Sequence, residues 1–264
     1  MKTPFYQLDA FTRKAFGGNP AAVCPLEKWL DDDLLLAIAR ENNLSETAFT
    51  VRDRSDNDTD FHLRWFTPGG EVDLCGHATL AAGYVMLEIL KLQDQVVSFS
   101  SRSGPLGVSR DGDKLMLDFP NRKPAPAAPP KALASALNIQ PRDILLGADN
   151  YLLVYGSSDE VLELKPDFPR LLACGAFGFL ATAPGEDCAF VSRCFFPHWQ
   201  IDEDPVTGSA HCTSGPYWAE KLGKPELFAR QISVRGGELW LRVSDDRVAI
   251  SGHVVPVIEG TLTL

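Results

Sequence analysis

A chain of 264 residues that is 45% hydrophobic and 23% charged holds enough apolar material for a full core, and its length favours two similar lobes over one. The formal net charge of −10 and a pI near 5.0 repel a phosphate backbone, and no basic stripe is interleaved with aromatics, so nucleic acid is not an expected partner. No window reaches the roughly 18 uninterrupted apolar residues of a membrane helix. Met1-Lys2-Thr3-Pro4-Phe5 shows no charged-then-apolar leader pattern, and a cytoplasmic location is expected.

Residues 5–11 read as a strand, and Gly17-Gly18-Asn19-Pro20 as a turn into a short strand over 21–24, so the chain opens with a hairpin. Asp31 is placed to cap a helix running to about Glu41, because Leu34, Leu35, Ile38 and Ala39 recur at helical spacing and Asn42-Asn43 can end it. Strands follow over 45–51 and 61–66, separated by a polar loop over 52–60. Thr67-Pro68-Gly69-Gly70 then breaks the second strand. Residues 78–90 are apolar all round except for Glu88, which marks a helix enclosed by other elements. The strands expected over 96–101, 106–109 and 114–119 are turned by Gly104-Pro105 and Asp111-Gly112 and can wrap around it.

Five prolines between Pro120 and Pro130 mark a linker. Beyond it the spacing predicts a helix over 131–137, a strand over 151–155, a helix over 168–174 and strands over 177–182 and 189–196. Arg193-Cys194-Phe195-Phe196-Pro197 echoes Arg64-Trp65-Phe66-Thr67-Pro68, and an acidic loop and a Gly-initiated helix follow in both cases. This points to an internal duplication. A second enclosed helix is expected over 208–222, with Pro216 bending it or starting a new segment. Strands over 232–234, 238–243, 247–250 and 254–264 complete the chain. The fold class expected is therefore α+β, two pseudo-symmetric lobes of curved mixed sheet around a central helix: residues 1–119, a proline-rich linker over 120–130, and residues 131–264. The last strand can belong to either lobe.

Two junctions gather acids beside helix starts. Asp202-Glu203-Asp204-Pro205 leads into Val206-Thr207-Gly208-Ser209-Ala210, and Glu71 and Asp73 precede Cys75-Gly76-His77-Ala78-Thr79. The first turn of a helix presents unpaired N–H groups and a partial positive charge, which suits a substrate carboxylate or enolate oxygen. The two junctions are expected to face one pocket. Glu46 opens a strand of otherwise sheet-forming residues, where an acid stands out unless it lines a pocket mouth; partial burial would suit it to accepting and returning a proton. His77, at a helix start, is expected as a neutral imidazole. Asp204 can hold a substrate amine, Gly208 and Ser209 can donate to an anion, and Asn19 and Pro205 read first as turn formers.

Other chemistries fit less well. Ser209, His77 and Asp204 have the residue types of a hydrolase triad, but no G-x-S-x-G elbow is present. His77, Glu46 and Asp204 lack any metal-ligand spacing, and Cys24, Cys75, Cys174, Cys188, Cys194 and Cys212 form no C-x-x-C pair, so no metal site is expected and the thiols are expected to be reduced. Nucleotide-binding glycine loops and a lysine placed for pyridoxal phosphate are missing. Cofactor-free proton transfer is what remains.

Taken in order, Gly18-Asn19-Pro20, Asn43-Leu44-Ser45-Glu46-Thr47-Ala48-Phe49, Phe66-Thr67-Pro68, Cys75-Gly76-His77-Ala78-Thr79, Leu117-Asp118-Phe119-Pro120 and Asp204-Pro205-Val206-Thr207-Gly208-Ser209-Ala210 resemble the PhzF-like (phenazine biosynthesis) isomerase family over nearly the whole chain. The resemblance implies a diaminopimelate epimerase-like fold with the site in a cleft, a homodimer, a carboxylate-bearing small-molecule substrate and no cofactor. It implies that Glu46 carries the proton, that His77 and Asp204 assist, and that Asn19, Gly76, Gly208 and Ser209 bind substrate. Cys75 is a possible accessory residue. Epimerases of this fold pair two thiols, whereas the second junction has Asp204-Pro205. An amino-acid racemase or epimerase, and a protein that only binds a small carboxylate, stand as alternatives.

Overall fold

The opening hairpin forms as its turn residues require: β1 (Lys2–Ala10) pairs antiparallel with β2 (Asn19–Leu26), and Gly18 sits at φ +62°. A Cβ on Gly18 would lie 2.1 Å from the Ala10 carbonyl oxygen, so the turn closes only around glycine. The computed structural model describes residues 1–53, 59–199 and 201–264; within the loop expected over 52–60, residues 54–58 lie outside the described residues. After the hairpin, α1 (Asp32–Asn42) carries the chain to β3 (Glu46–Arg52), which pairs parallel to β2. Asn43 ends α1 in the left-handed region at φ +48°. Asp31 has the extended backbone of an N-cap, but its side chain makes no capping bond.

Next, β4 (Phe61–Thr67) returns antiparallel to β3, and β5 (Gly70–Val72) turns back along β4. The enclosed helix, α2 (Gly76–Tyr84), begins two residues earlier than its apolar run and finishes in a π turn over Val85–Ile89. Three antiparallel strands follow, β6 (Val96–Ser100), β7 (Leu106–Asp111) and β8 (Lys114–Pro120), with β6 laid parallel to β4. α2 packs against β1, β2 and β3, and His77 through Gly83 are all buried.

The second stretch repeats this order. After β9 (Ala125–Pro126), α3 (Leu133–Ala136) and β10 (Asp143–Leu146), strand β11 (Asn150–Val154) is linked through α4 (Ser158–Leu162) and α5 (Phe168–Ala173) to β12 (Gly178–Pro184), which lies parallel to it. β13 (Phe190–Phe196) pairs antiparallel with β12, and β14 (Ile201–Asp204) turns back along β13. The helix α6 (Gly208–Leu222) follows, then β15 (Glu226–Gln231) parallel to β13 and β16 (Gly237–Val243) antiparallel to β15. β17 (Arg247–Gly252) and β18 (Val254–Thr263) end the chain.

The repetition extends to side chains. Arg64 on β4 makes a two-pronged bond to Glu71 on β5, both contacts 2.7 Å, and Arg193 on β13 makes the same pair with Glu203 on β14 at 2.8 Å. Such planar fork-to-carboxylate pairs fix geometry, so each ties down the hairpin that delivers a central helix. Gly83 and Gly215 stand at the same step of their helices: a Cβ on Gly83 would meet Val108 of β7 at 2.4 Å, and one on Gly215 would meet Leu241 of β16 at 3.2 Å.

The core is built from strands buried on both faces. Leu153, Phe179, Ala181 and Phe195 pack with Leu133, Val161 and Leu171 of α3–α5, whereas the alternate residues Leu152, Leu180, Cys194 and Phe196 pack with Ala210 of α6. This period of two places one set against the small helices and the other against the central one.

Contacts divide the chain into two units, Met1–Asp118 with Ser251–Leu264, and Phe119–Ile250. Strand β18 therefore sits in the first unit, antiparallel to β1 from Lys2↔Thr263 to Ala10↔Val254. The prolines of 120–130 are not a free linker. They belong to the second unit, where β9 pairs with β10 and the Arg122 N–H donates to the Cys212 carbonyl at 3.0 Å. That bond also explains why α6 runs unbroken through Pro216. Proline at 216 lacks the N–H that Cys212, four residues earlier, would accept, and Arg122 supplies the replacement. The strand expected over 232–234 is absent: β15 lies earlier, over Glu226–Gln231, and its last side chain bonds to the second helix start. Among the described residues, no helix is long and apolar enough to cross a membrane.

Candidate functional site

Parallel pairing brings the first group of residues together. The register Ala21↔Glu46 places Glu46 at the start of β3 and Asn19 at the start of β2 on the same end of the sheet. α2, packed on these strands, presents its N-terminal residues there, with Cys75 as N-cap and Gly76 and His77 in the first turn. The imidazole stands at the centre. His77 Nε2 lies 3.1 Å from Glu46 Oε2, its Nδ1 lies 3.1 Å from the Asn19 side-chain amide, and Cys75 Sγ is 3.5 Å from Nδ1. Ser45 Oγ donates to Asn19 Oδ1 at 3.5 Å.

Asn19, Cys75 and His77 are buried, and only 13% of the Glu46 side chain is exposed. Although close, Glu46 Oε2 and His77 Nε2 are not aligned for a hydrogen bond, and neither atom has another hydrogen-bond partner among the described residues. Buried polar atoms without aligned partners are costly. An arrangement that keeps two of them facing each other is suited to a third group entering between them.

The electrostatics correct one expectation. Burial acts to lower the His77 pKa, yet Cys75 and Glu46 outweigh it and hold His77 well above its ordinary value. The Cys75 thiol is itself pushed up to about 11, chiefly by burial and then by the Glu46 charge, so it is neutral in the range where His77 titrates. The Glu46 carboxylate is a charge that favours the imidazolium form. A carboxylate 3.1 Å away acts against the helix terminus, which favours the neutral ring.

In the second unit, Asp204, Gly208 and Ser209 occupy the end of β14 and the start of α6. Asp204 and Gly208 are buried, and Ser209 is exposed. Asp204 Oδ2 accepts from the Thr207 hydroxyl. The organiser is a residue that spacing did not reveal. Gln231, fully buried at the end of β15, accepts the Thr207 N–H at 2.9 Å and donates to the Asp204 carbonyl at 2.7 Å. Nothing in its local sequence singles it out, since its partners lie on a different element.

His211 on α6 was also missed. Its Nδ1 donates to the Thr207 carbonyl at 2.8 Å, Nε2 meets Ser192 Oγ at 3.3 Å, and the ring stacks on Phe190. Burial lowers its pKa to about 4 from 6.5. Above pH 6.5 both folded and unfolded chains hold it neutral, and its contribution is fully present; between 6.5 and 4 the unfolded chain takes up the proton and the folded one does not, so stability falls with pH. The stability of a His211→Gln variant, followed by urea unfolding, is expected to decline less steeply than wild type between these pH values. Equal slopes would remove His211 from the acid response.

The chain is similar over its whole length to known proteins. Residues 8–260 match the model of the family described as phenazine biosynthesis-like protein. An uncharacterized isomerase of Pseudomonas aeruginosa is 48% identical over 264 residues, covering all of both chains. The crystal structure of a PhzF-family phenazine biosynthesis protein of Enterococcus faecalis superimposes with a TM-score of 0.94 at 42% identity, again covering all of both chains. A hydroxyproline epimerase of Agrobacterium vitis, crystallised with trans-4-hydroxy-L-proline, matches with a TM-score of 0.62 at 12% identity over 99% of this chain and 92% of its own, a likeness of fold alone.

Proposed function

Because the chain belongs to the phenazine biosynthesis-like protein family and is an isomerase of that kind, we propose that it moves a proton on a small amino or carboxylic acid, with Glu46 as the acid/base and no cofactor. The observation that carries this reading is the buried facing pair, Glu46 Oε2 and His77 Nε2 at 3.1 Å without an aligned bond between them. The Glu46 carboxylate takes a proton from a substrate carbon, and the same proton returns to another carbon. His77, held in its protonated form, balances the charge before transfer and hydrogen-bonds the oxygen on which negative charge develops. Gly76 contributes its helix-start N–H to that oxygen. Asn19 fixes the imidazole ring.

Asp204 is assigned to assist the transfer and Gly208 and Ser209 to bind substrate, and a carboxylate-bearing substrate and a homodimer belong to the same reading. Incubating the protein with a panel of small amino and carboxylic acids in deuterated water should replace carbon-bound hydrogen in at least one of them, read by proton NMR. Binding without exchange in any of them would favour a carboxylate-binding protein instead. With a substrate in hand, Asp204→Asn is expected to lower kcat/KM by about 10²- to 10⁴-fold; an unchanged value would remove Asp204 from the reaction.

One observation favours a second reading. Cys75 Sγ lies within 4.8 Å of the ligand atoms of Glu46 and His77, so a second group able to give a proton stands near Glu46. Being a neutral thiol, with its pKa at about 11, Cys75 could deliver a proton to a carbon that Glu46 has deprotonated, which is epimerisation. Inversion at one carbon, as opposed to migration of a double bond, distinguishes the two.

A further inference from the structure

The donor set at the start of α2 has a capacity beyond proton transfer. Glu46, Cys75 and His77 each offer one ligand atom, and these lie within 4.8 Å of one another. A tetrahedral zinc ion with bonds of roughly 2.0–2.3 Å holds its ligand atoms roughly 3.3–3.8 Å apart. The Glu46–His77 separation of 3.1 Å already falls near that range, and small side-chain rotations bring in the sulfur.

We propose that Glu46, Cys75 and His77 form a site for one soft divalent cation of the zinc type, and that occupancy shuts the enzyme off by taking the proton carrier as a ligand. The shut-off rests on the function proposed above; the binding does not. Two observations beyond the clustering point to a ligand. Glu46 Oε2 and His77 Nε2 are buried and lack any aligned hydrogen bond among the described residues, so the ion would displace none. The other ring nitrogen is held by Asn19, the kind of outer partner that fixes a metal-bound imidazole once the amide turns its oxygen toward the ring N–H.

Charge balance agrees. One thiolate, one carboxylate and a neutral imidazole make a doubly charged cation neutral overall, which suits a buried site. On binding, the Cys75 S–H bond breaks and an S–metal bond forms; that proton and any proton on His77 leave to solvent, and the ion sheds waters in exchange. No oxidation change is involved. A hard ion such as magnesium prefers oxygen ligands at near-octahedral geometry and should not compete.

The test uses the full chain, freed of metal by chelation, with zinc chloride titrated against a chromophoric chelator. One equivalent is expected to bind. Cys75→Ser and His77→Gln should each weaken binding at least about tenfold, while Cys174→Ser, on a partly exposed thiol elsewhere in the fold, should leave it unchanged. Cobalt(II) loaded into the wild-type chain should show a sulfur-to-metal charge-transfer band, a readout independent of whether the variants fold. Absence of stoichiometric binding, absence of that band, or wild-type affinity in Cys75→Ser would overturn the proposal. Zinc binding with turnover retained in Glu46→Gln would sink the catalytic reading and leave the metal site standing; no zinc binding with Glu46-dependent turnover would do the reverse.

Discussion

Replacing Glu46 with glutamine is expected to reduce substrate hydrogen exchange by about 10²–10⁴-fold, the range general acid–base groups contribute. Glutamine keeps the volume and can still contact His77, so the pocket should hold its shape; it cannot accept a proton from carbon. A second consequence follows from the charge. With Cys75, Glu46 holds His77 above its ordinary pKa against burial, and removing the Glu46 charge shifts the imidazole toward its neutral form. Glu46→Gln should therefore lose both the base and the cation that steadies the developing oxyanion. Glu46→Asp, which keeps the carboxylate but draws it back by one methylene, separates these effects: His77 stays charged, yet misplacement by about 1 Å can cost about 10²-fold. The measurement is the rate of deuterium incorporation into substrate, with far-ultraviolet circular dichroism confirming the fold. Turnover in Glu46→Gln within about threefold of wild type would sink the assignment.

Much of this architecture was legible because the pattern repeats. The apolar run after Cys75 read as an enclosed helix, the stretch after Thr207 repeated it less cleanly around Pro216, and the Arg-aromatic-Pro echo before each marked equivalent hairpins; both became a shared arginine–glutamate pair and a shared glycine step. Glu46 stood out as an acid among sheet formers, and parallel pairing then set it against a helix start. What escaped reading depends on partners distant in sequence. Proline content marked 120–130 as a linker, but the Arg122 N–H is claimed by a carbonyl that Pro216 leaves vacant. A neutral His77 follows from the helix terminus alone, whereas the carboxylate acting against it comes from a strand. The cluster of Glu46, Cys75 and His77 shows only its Cys75-Gly76-His77 part in the sequence, because Glu46 arrives through β3.

Gln231 illustrates the same point on stability, and Gln231→Leu is expected to destabilise the second unit by about 2–5 kcal/mol. The wild-type amide is fully used: Oε1 accepts the Thr207 N–H and a contact from Cys194 Sγ at 3.5 Å, while Nε2 donates to the Asp204 carbonyl and to Thr207 Oγ1 at 3.3 Å. Leucine fills a similar volume in this buried position but strands the Thr207 N–H and takes a donor from the Asp204 carbonyl without water to replace the lost bonds, and a stranded group of this kind costs about 1–3 kcal/mol. The damage falls where β14 hands over to α6, so Asp204, Gly208 and Ser209 should lose their fixed geometry together. Glutamate at the same position is not expected to rescue it, since a carboxylate can accept from Thr207 but cannot donate to the Asp204 carbonyl and would repel the Asp204 side chain. Urea unfolding of the second unit supplies the magnitude, and amide exchange at Thr207 supplies the location. A loss below about 1 kcal/mol, with Thr207 as protected as in wild type, would mean that the helix start is held by α6 packing alone.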